Sequence, residues 1–341
     1  MGVAFGSLIN KKEISLDFLR ERKVGVDSYN IIYQFLSSIR GPDGTPLMDS
    51  KGNVTSHLTG LLYRTSNWLE KGIKPVFVFD GPPIVLKSKT LEDRIRVRTD
   101  AKEKHEKALK EGNMEDAKKY GSRALHVTKD MVDDAKFLIK ALGLPVIQAP
   151  HDGEAQISFM VDNEDLYGAI SQDYDVLLYG GKRLLRNIAT SGKKKLPGRN
   201  VYVDVAPEII EETEVEKQLG INREKLIWLG ILIGTDFNQK FPKIGPKTAL
   251  KLVKSNNSFE DIIKETKFEP DFDYNEIVNI FMNPASTCDY RINFSVPDNE
   301  KVKKFLCDKH DFSEQRVDSV LEKIKAINSE KTAQTRLDMW G

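Results

Sequence analysis

Acids at the ends of short apolar runs are the residues of this sequence best placed to do chemistry. Lys23-Val-Gly-Val-Asp27 and Pro75-Val-Phe-Val-Phe-Asp80 both close on aspartate, and further acids sit in Asp152-Gly-Glu154 and Asp173-Tyr-Asp175. Asp236 follows a third apolar run, Leu229-Gly-Ile-Leu-Ile-Gly-Thr. In open α/β sheets, ligands gather outside the carboxyl ends of the strands, so acids placed there converge. Converging carboxylates repel one another unless a cation lies among them or some remain protonated. Hard oxygen donors select Mg²⁺ or Mn²⁺, and a pair of such ions suits phosphate-ester hydrolysis.

Each acid also has a simpler reading. Asp27 and Asp80 fit as caps of a turn or helix. Asp152 fits as an N-cap with Glu154 in the first helical turn. Asp173 and Asp175 fit as turn residues; in an extended segment their spacing would put both on one side. The count shifts the balance. Five separate chain segments supply Asp27, Asp80, Asp152, Glu154, Asp173, Asp175 and Asp236, and one metal pocket accounts for them better than turn chemistry does.

The positioning elements follow from apolar periodicity. Residues 23–27 read as a buried strand, followed by a helix through Ile31, Ile32, Phe35, Leu36 and Ile39. A helix over 55–71 and a strand over 75–80 come next. Residues 87–129 carry thirteen Lys or Arg against eight Asp or Glu, with weak apolar periodicity, and read as polar helices broken near Gly112. Thr128 opens a helix that Gly143 ends. Strand-like runs lie at 144–148, 168–171, 176–179 and 200–205, with an exposed basic turn at 191–195. From about 222 the chain reads as helical, and 327–341 as a polar tail. Alternation of this kind predicts an α/β fold with a mostly parallel central sheet flanked by helices.

Composition narrows the setting. The chain has 341 residues, 40% of them apolar and 30% charged, with a formal net charge of +1. Overall charge therefore says nothing for nucleic acid; local charge must. Cys288 and Cys307 form no metal-ligand spacing or disulfide framework, which fits a reducing compartment. The first residues lack the features of a signal peptide, and no run of 18 or more apolar residues suggests a membrane span.

These residues resemble the structure-specific 5′ nucleases, and among them the archaeal flap endonucleases. The carriers are Met1-Gly-Val, Val26-Asp27 with Ile32-Tyr33-Gln-Phe-Leu36, Gly44-Thr-Pro-Leu-Met-Asp-Ser50 and Phe77-Val-Phe-Asp-Gly-Pro82. Ala155-Gln156, Ser171-Gln-Asp-Tyr-Asp175, Ile233-Gly-Thr-Asp236, Ile244-Gly-Pro-Lys247 and Phe305-Leu-Cys-Asp-Lys-His-Asp-Phe-Ser313 extend the resemblance over nearly the whole chain.

The resemblance implies a PIN-like 5′ nuclease fold over 1–326: an N-terminal part (about 1–100), a helical arch (about 84–130) and an internal part (about 128–255). A helix–hairpin–helix-type element (about 236–254) and a flexible tail (327–341) complete it. It implies hydrolysis of DNA phosphodiesters at 5′ flap junctions by two Mg²⁺ ions, with Mn²⁺ as a substitute. Replication (Okazaki fragment processing), repair and 5′–3′ exonuclease activity belong to the same expectation. All seven acids match metal ligands. Lys87 and Arg94 match basic residues that contact the scissile phosphate. The amino group of Gly2 would lie near the site, and Tyr33 would stack on a terminal base. Gly245, Lys247 and Lys251, with Lys254, would touch duplex backbone beside a K⁺ site. Gln334, Leu337, Met339 and Trp340 are similar to a sliding-clamp-binding peptide. A monomer in an archaeal cytoplasm is expected.

The bland readings remain beside these: a salt-bridged helical hairpin for the arch, a core aromatic for Tyr33, surface charge for Lys87 and Arg94, an ordinary helix start at Gly245, and a frayed terminus for the tail. Departures from the family pattern are also visible. Asp152 stands where Glu is usual, shortening reach by roughly 1.5 Å, so contact through water is expected. Lys243 stands where Gly is usual, and a side chain there resists unusual backbone angles, which weakens the case for the K⁺ site. Gly341 replaces a second aromatic in the clamp peptide, and Ala4 a common Gln. The contrasting readings are a related excision-repair nuclease and a non-catalytic DNA-junction scaffold that recruits the clamp.

Overall fold

The two runs that end in aspartate form the centre of a seven-stranded sheet. The computed structural model describes residues 3–41, 44–190, 192–195 and 202–338, without the side chains of 85, 88–94, 193–195, 202–203 and 328–338. Its strands are β1 (Lys12–Glu13), β2 (Lys23–Asp27), β3 (Lys74–Phe79), β4 (Val146–Gln148), β5 (Ala169–Ile170), β6 (Arg183–Arg186), β7 (Gly192–Lys195), β8 (Tyr202–Val205) and β9 (Glu208–Glu211). The large sheet runs β1-β9-β6-β5-β2-β3-β4, and β7 pairs with β8 apart from it. Strands β4, β3, β2, β5 and β6 are mutually parallel, while β9 is antiparallel to both β6 and β1. The expected mostly parallel α/β sheet is therefore present.

Burial on both faces explains the continuous apolar runs of β2 and β3. On one face Val24, Val26, Phe77 and Phe79 pack with Trp68, Leu58 and Ile31. On the other, Val76 and Val78 pack with Ile157, Met160 and Leu229. Helices α1 (Ser28–Ser38), α2 (Ser56–Glu70) and α5 (Lys129–Ala141) serve the first face. Helices α6 (Gly153–Asp162), α7 (Asp175–Leu178) and α9 (Arg223–Ile233) serve the second, with α8 (Glu212–Leu219) beside them. Thr128 caps α5 as expected, accepting from the Met131 amide at 3.2 Å, and Gly143 follows with φ +76.

The polar stretch is a helical hairpin, α3 (Ser88–Lys110) and α4 (Met114–Arg123), turned at Gly112. Its seam is made of small residues. Ala101, Ala108 and Ala117 are buried, and His105 Nδ1 lies 2.7 Å from the Ala117 carbonyl oxygen. A seam of alanines gives almost no apolar period, so the hairpin escapes a periodicity reading. Arg40, two residues beyond α1, reaches the Gly121 carbonyl at 3.2 Å and so ties the hairpin to the sheet domain.

Several expectations change. Residues 176–179 are not a strand: α7 begins at Asp175, and Val176, Leu177 and Leu178 are fully buried helical residues. An apolar run this short does not distinguish buried strand from buried helix. Within the basic segment at 191–195, Gly192–Lys195 form strand β7, paired with β8 from Gly192↔Val205 to Lys195↔Tyr202. The sheet also uses β6 and β9, whose arginines and glutamates hid them. The C-terminal helices are α10 (Pro246–Ser255), α11 (Phe259–Thr266), α12 (Tyr274–Met282), α13 (Asn299–Lys303) and α14 (Glu314–Asp338). A single π-turn, Lys304–Lys309, joins the last two. Helix α14 runs from Glu314 to Asp338, into the region read as a polar tail.

Lys243 adopts φ +61, the left-handed angle that glycine takes freely. The backbone of the turn is thus kept despite the side chain, at a cost in strain. Lys243→Gly should stabilise the fold by about 0.5–1 kcal/mol, the strain relieved less the flexibility gained by the unfolded chain. Urea unfolding checks this; an unchanged or lower midpoint would contradict it.

Candidate metal centre

The parallel strands deliver their acids to one edge of the sheet. Asp27 ends β2, Asp80 follows β3, and Asp152 and Glu154 sit at the start of α6 after β4. Asp173 and Asp175 follow β5, with Asp175 the first residue of α7. They are not on one side of an extended segment, since Tyr174 between them is helical in its angles. Asp236 lies beyond the end of α9 in a loop fixed by its own bonds. There Thr235 Oγ1 donates to Asn238 Oδ1 at 2.7 Å, and Asn238 Nδ2 donates to the Ile231 carbonyl at 2.8 Å.

Local bonds set each carboxylate. Asp27 is both cap and pocket residue: one oxygen accepts from the Asn30 amide at 3.1 Å, the other from Ser171 Oγ at 3.1 Å. Ser171 Oγ also lies 2.9 Å from Glu154 Oε1, so one hydroxyl proton serves two acids. Asn30 Nδ2 donates to Asp173 Oδ2 at 3.0 Å. The Gly153 amide donates to Asp80 Oδ1 at 2.8 Å, and a Cβ at Gly153 would stand only 2.8 Å from that oxygen, so the contact needs glycine. The Val3 amide donates to Asp175 Oδ1 at 2.8 Å, which brings the start of the chain to the pocket.

The pocket is short of positive charge. Burial, then the Asp80 carboxylate, push the Asp27 pKa well above the ordinary range. Burial does the same for Glu154, aided by Asp175, Asp27 and Asp173. Asp80 is pushed up to about 6 by burial, although the Gly153 amide and Lys87 work against the rise. Asp175 rises to about 7 through burial and the Asp236 charge. Lys87 supplies one cation: it pairs with Asp152 Oδ1 and lies 5.1 Å from the centre of the Phe237 ring. Burial disfavours its ammonium, but Asp152, Asp236 and Asp80 outweigh that and raise its pKa. The other Asp152 oxygen accepts from the Tyr179 hydroxyl at 2.5 Å.

Among the described residues, no three Asp, Glu, His or Cys side chains are arranged to hold a metal ion as they stand. The set is a convergent acidic pocket rather than a closed ligand shell. Its chemistry nevertheless fits a hard divalent cation, because buried carboxylates that resist ionisation are relieved by added positive charge. Magnesium keeps several waters and uses few direct carboxylates, so it does not require a closed cage.

Comparison with known proteins agrees with this architecture. Residues 1–101 match the model of the XPG N-terminal domain and residues 143–236 that of the XPG I-region. Flap endonuclease 1 of Thermococcus onnurineus is 50% identical over 342 residues, covering 100% of this chain and 99% of that protein. Flap endonuclease 1 of Archaeoglobus fulgidus is 47% identical, with both chains fully covered. The chain belongs to the flap endonuclease 1 family. The solved flap endonuclease-1 from Methanococcus jannaschii superposes with a TM-score of 0.77 at 39% identity, covering 97% of this chain and all of that one. The catalytic core of Rad2 shares the fold, with a TM-score of 0.67 at 24% identity.

Within this flap endonuclease family member, the acids and Lys87 come together. Tyr33 is 40% exposed on α1, which excludes the core reading. Gly245 caps α10 with open space where a Cβ would lie, and Lys247, Lys251 and Lys254 are exposed beside it. Arg94 lies on α3, but its side chain is outside the described set, as are those of Gln334 and Leu337; Gly2, Met339 and Trp340 lie wholly outside the described residues. Sequence reasoning missed Asn30, Ser171 and Tyr179, which orient the acids. Ser171, two before Asp173, and Asn30, three after Asp27, were legible only as polar neighbours.

The raised acids make stability depend on pH. Asp80 and Asp175 have folded values of about 6 and about 7 against 3.8 unperturbed, so folding favours their protonated forms. Their contribution to stability is full below about pH 4 and is lost as pH rises through 6 and 7. In EDTA, the urea midpoint should fall between about pH 5 and about pH 7.5, and Asp175→Asn should lose less over that interval. A midpoint that rises over that range in the wild type and not in the variant would contradict the assignment.

Proposed function

We propose that this chain cleaves DNA at junctions carrying a 5′ flap, by hydrolysis of a phosphodiester with the help of divalent cations. The convergence of buried and half-buried carboxylates from five chain segments, with Lys87 as their one described cation partner, supports this reading most directly. Asp27, Asp80, Glu154 and Asp173 would hold one Mg²⁺ or its waters, with Asp152, Asp175 and Asp236 nearer a second; Mn²⁺ would substitute. When bound, such ions neutralise the acids and supply Lewis-acid activation of water and phosphate.

The chain's own residues take the remaining tasks. Ser171 and Asn30 hold Asp27, Glu154 and Asp173 in register. Lys87, already drawn into the pocket by Asp152, would offset charge on the reacting phosphate together with Arg94. The α3–α4 hairpin, rich in Lys and Arg, would form the arch that takes the 5′ single strand through phosphate neutralisation. Exposed Tyr33 would stack on a terminal base, and the amino group of Gly2 would lie close to the site. Gly245, Lys247 and Lys251 would hold the duplex backbone at the start of α10, with K⁺ at the preceding turn, whose left-handed angle Lys243 preserves. The peptide containing Gln334, Leu337, Met339 and Trp340 would bind a sliding clamp. The protein would act as a monomer in the cytoplasm, in replication and repair, with 5′–3′ exonuclease activity as a secondary property.

Gel cleavage of a labelled 5′-flap duplex, with Mg²⁺ and with EDTA, tests the reading. Asp80→Ala and Asp173→Ala should abolish cleavage while flap binding persists, because each removes a pocket acid and neither removes the basic surface. Near wild-type cutting by either variant would refute the pocket as the reaction centre. A wild-type protein that binds the junction and does not cut would instead be a scaffold.

A further inference from the structure

A second charged cavity lies at the opposite edge of the sheet. It encloses about 350 Å³ beside Arg22, Lys23, Tyr167, Lys182 and Arg183. Lys23 and Arg183 are the first residues of β2 and β6, whereas Asp27 is the last of β2. Five residues of strand, roughly 15 Å, therefore separate this cavity from the acids.

Its arginines are held by aromatic rings. Arg22 Cζ lies 4.3 Å from the centre of the Phe18 ring and 3.8 Å from that of Tyr167, and Arg183 Cζ lies 4.6 Å from the Tyr167 centre. Tyr167 is fixed in turn by its amide bond to the Lys23 carbonyl at 2.7 Å. Stacking orients a guanidinium without neutralising it and leaves its N–H edges free to donate. Arg183 spends one such donor on the Tyr167 carbonyl at 3.2 Å. Among the described residues, Arg22, Lys23 and Arg183 form no ion pair. Lys182 pairs with Asp162 at 3.3 Å. Two acids also line the cavity: Asp165, which accepts from the Tyr290 hydroxyl at 2.5 Å, and exposed Glu164. Three unpaired cations against these two acids leave the cavity positive.

We propose that this cavity binds a small phosphate-bearing anion, as free phosphate or as a phosphate monoester. Its volume is at the small end of ligand sites. Planar guanidinium forks match phosphate oxygens in pairs, and three cations suit a dianion better than a single carboxylate. The acid pocket, at the other edge, would repel the same ligand.

Calorimetric titration of the full chain in EDTA tests this, with inorganic phosphate in one arm and ribose 5-phosphate in another. Saturable binding below about 10 mM is expected, about tenfold weaker in Lys23→Gln, the loss of one charge-assisted contact. Lys23 is exposed and outside the aromatic stack, so this variant keeps the fold; Arg22→Gln with Arg183→Gln should abolish binding. Tighter binding of ribose 5-phosphate identifies an ester as the occupant, and equal binding identifies the free ion. No saturable binding in the wild type, or undiminished binding in Lys23→Gln, overturns the proposal.

Discussion

Buried negative charge without enough positive charge to balance it is the constraint on which this structure turns. Asp27, Asp80, Glu154 and Asp175 are driven toward their protonated forms by burial and by one another. Lys87 compensates part of this and is committed to Asp152. A fold keeps such an arrangement at a cost, because desolvating like charges is among the least favourable things a chain can do. The surrounding bonds share the load. Ser171 bridges two acids, Asn30 and the Gly153 amide each hold another, and Val3 closes over Asp175.

The sheet explains how distant residues reach one place. Parallel strands point their carboxyl ends the same way, so β2, β3, β4 and β5 each release an acid-bearing segment at a single edge. The basic hairpin α3–α4 leaves from that edge just after Asp80, and Arg40 pins it back through the Gly121 carbonyl. The lysines of α10 stand exposed on a separate helical element. The acid pocket and the hairpin that leaves its edge, with thirteen Lys or Arg against eight Asp or Glu over 87–129, are opposite in charge.

Much of this is legible in the amino-acid sequence. The strands ending in Asp27 and Asp80, the helices packed on them and the break at Gly112 all follow from period and punctuation, because burial on both faces leaves continuous apolar runs. What stayed hidden has specific causes. Val176-Leu-Leu178 reads as strand or helix alike, and tertiary packing decided for helix. Strands β6 and β9 carry charged residues at their ends, where Arg186 and Glu208 pair at 3.5 Å, and so lack an apolar signature. The seam of the α3–α4 hairpin is alanine, too small to register as a hydrophobic face. In the pocket the acids themselves are readable, whereas Ser171, Asn30 and Tyr179 are not, since the bonds that orient the acids join Ser171 to Asp27 and Glu154, Asn30 to Asp173 and Tyr179 to Asp152, 17 to 144 residues apart in sequence. Lys243 shows the converse: the residue argued against a left-handed turn, and the turn was kept.

The proposed hydrolysis requires that the acid pocket receive divalent cations. Anomalous scattering from crystals soaked in Mn²⁺ addresses this without reference to activity. Density peaks should appear between the carboxylates of Asp27, Asp80, Glu154, Asp173, Asp175 and Asp236. Crystals that take up manganese elsewhere, or leave this pocket empty with its acids protonated, would contradict it.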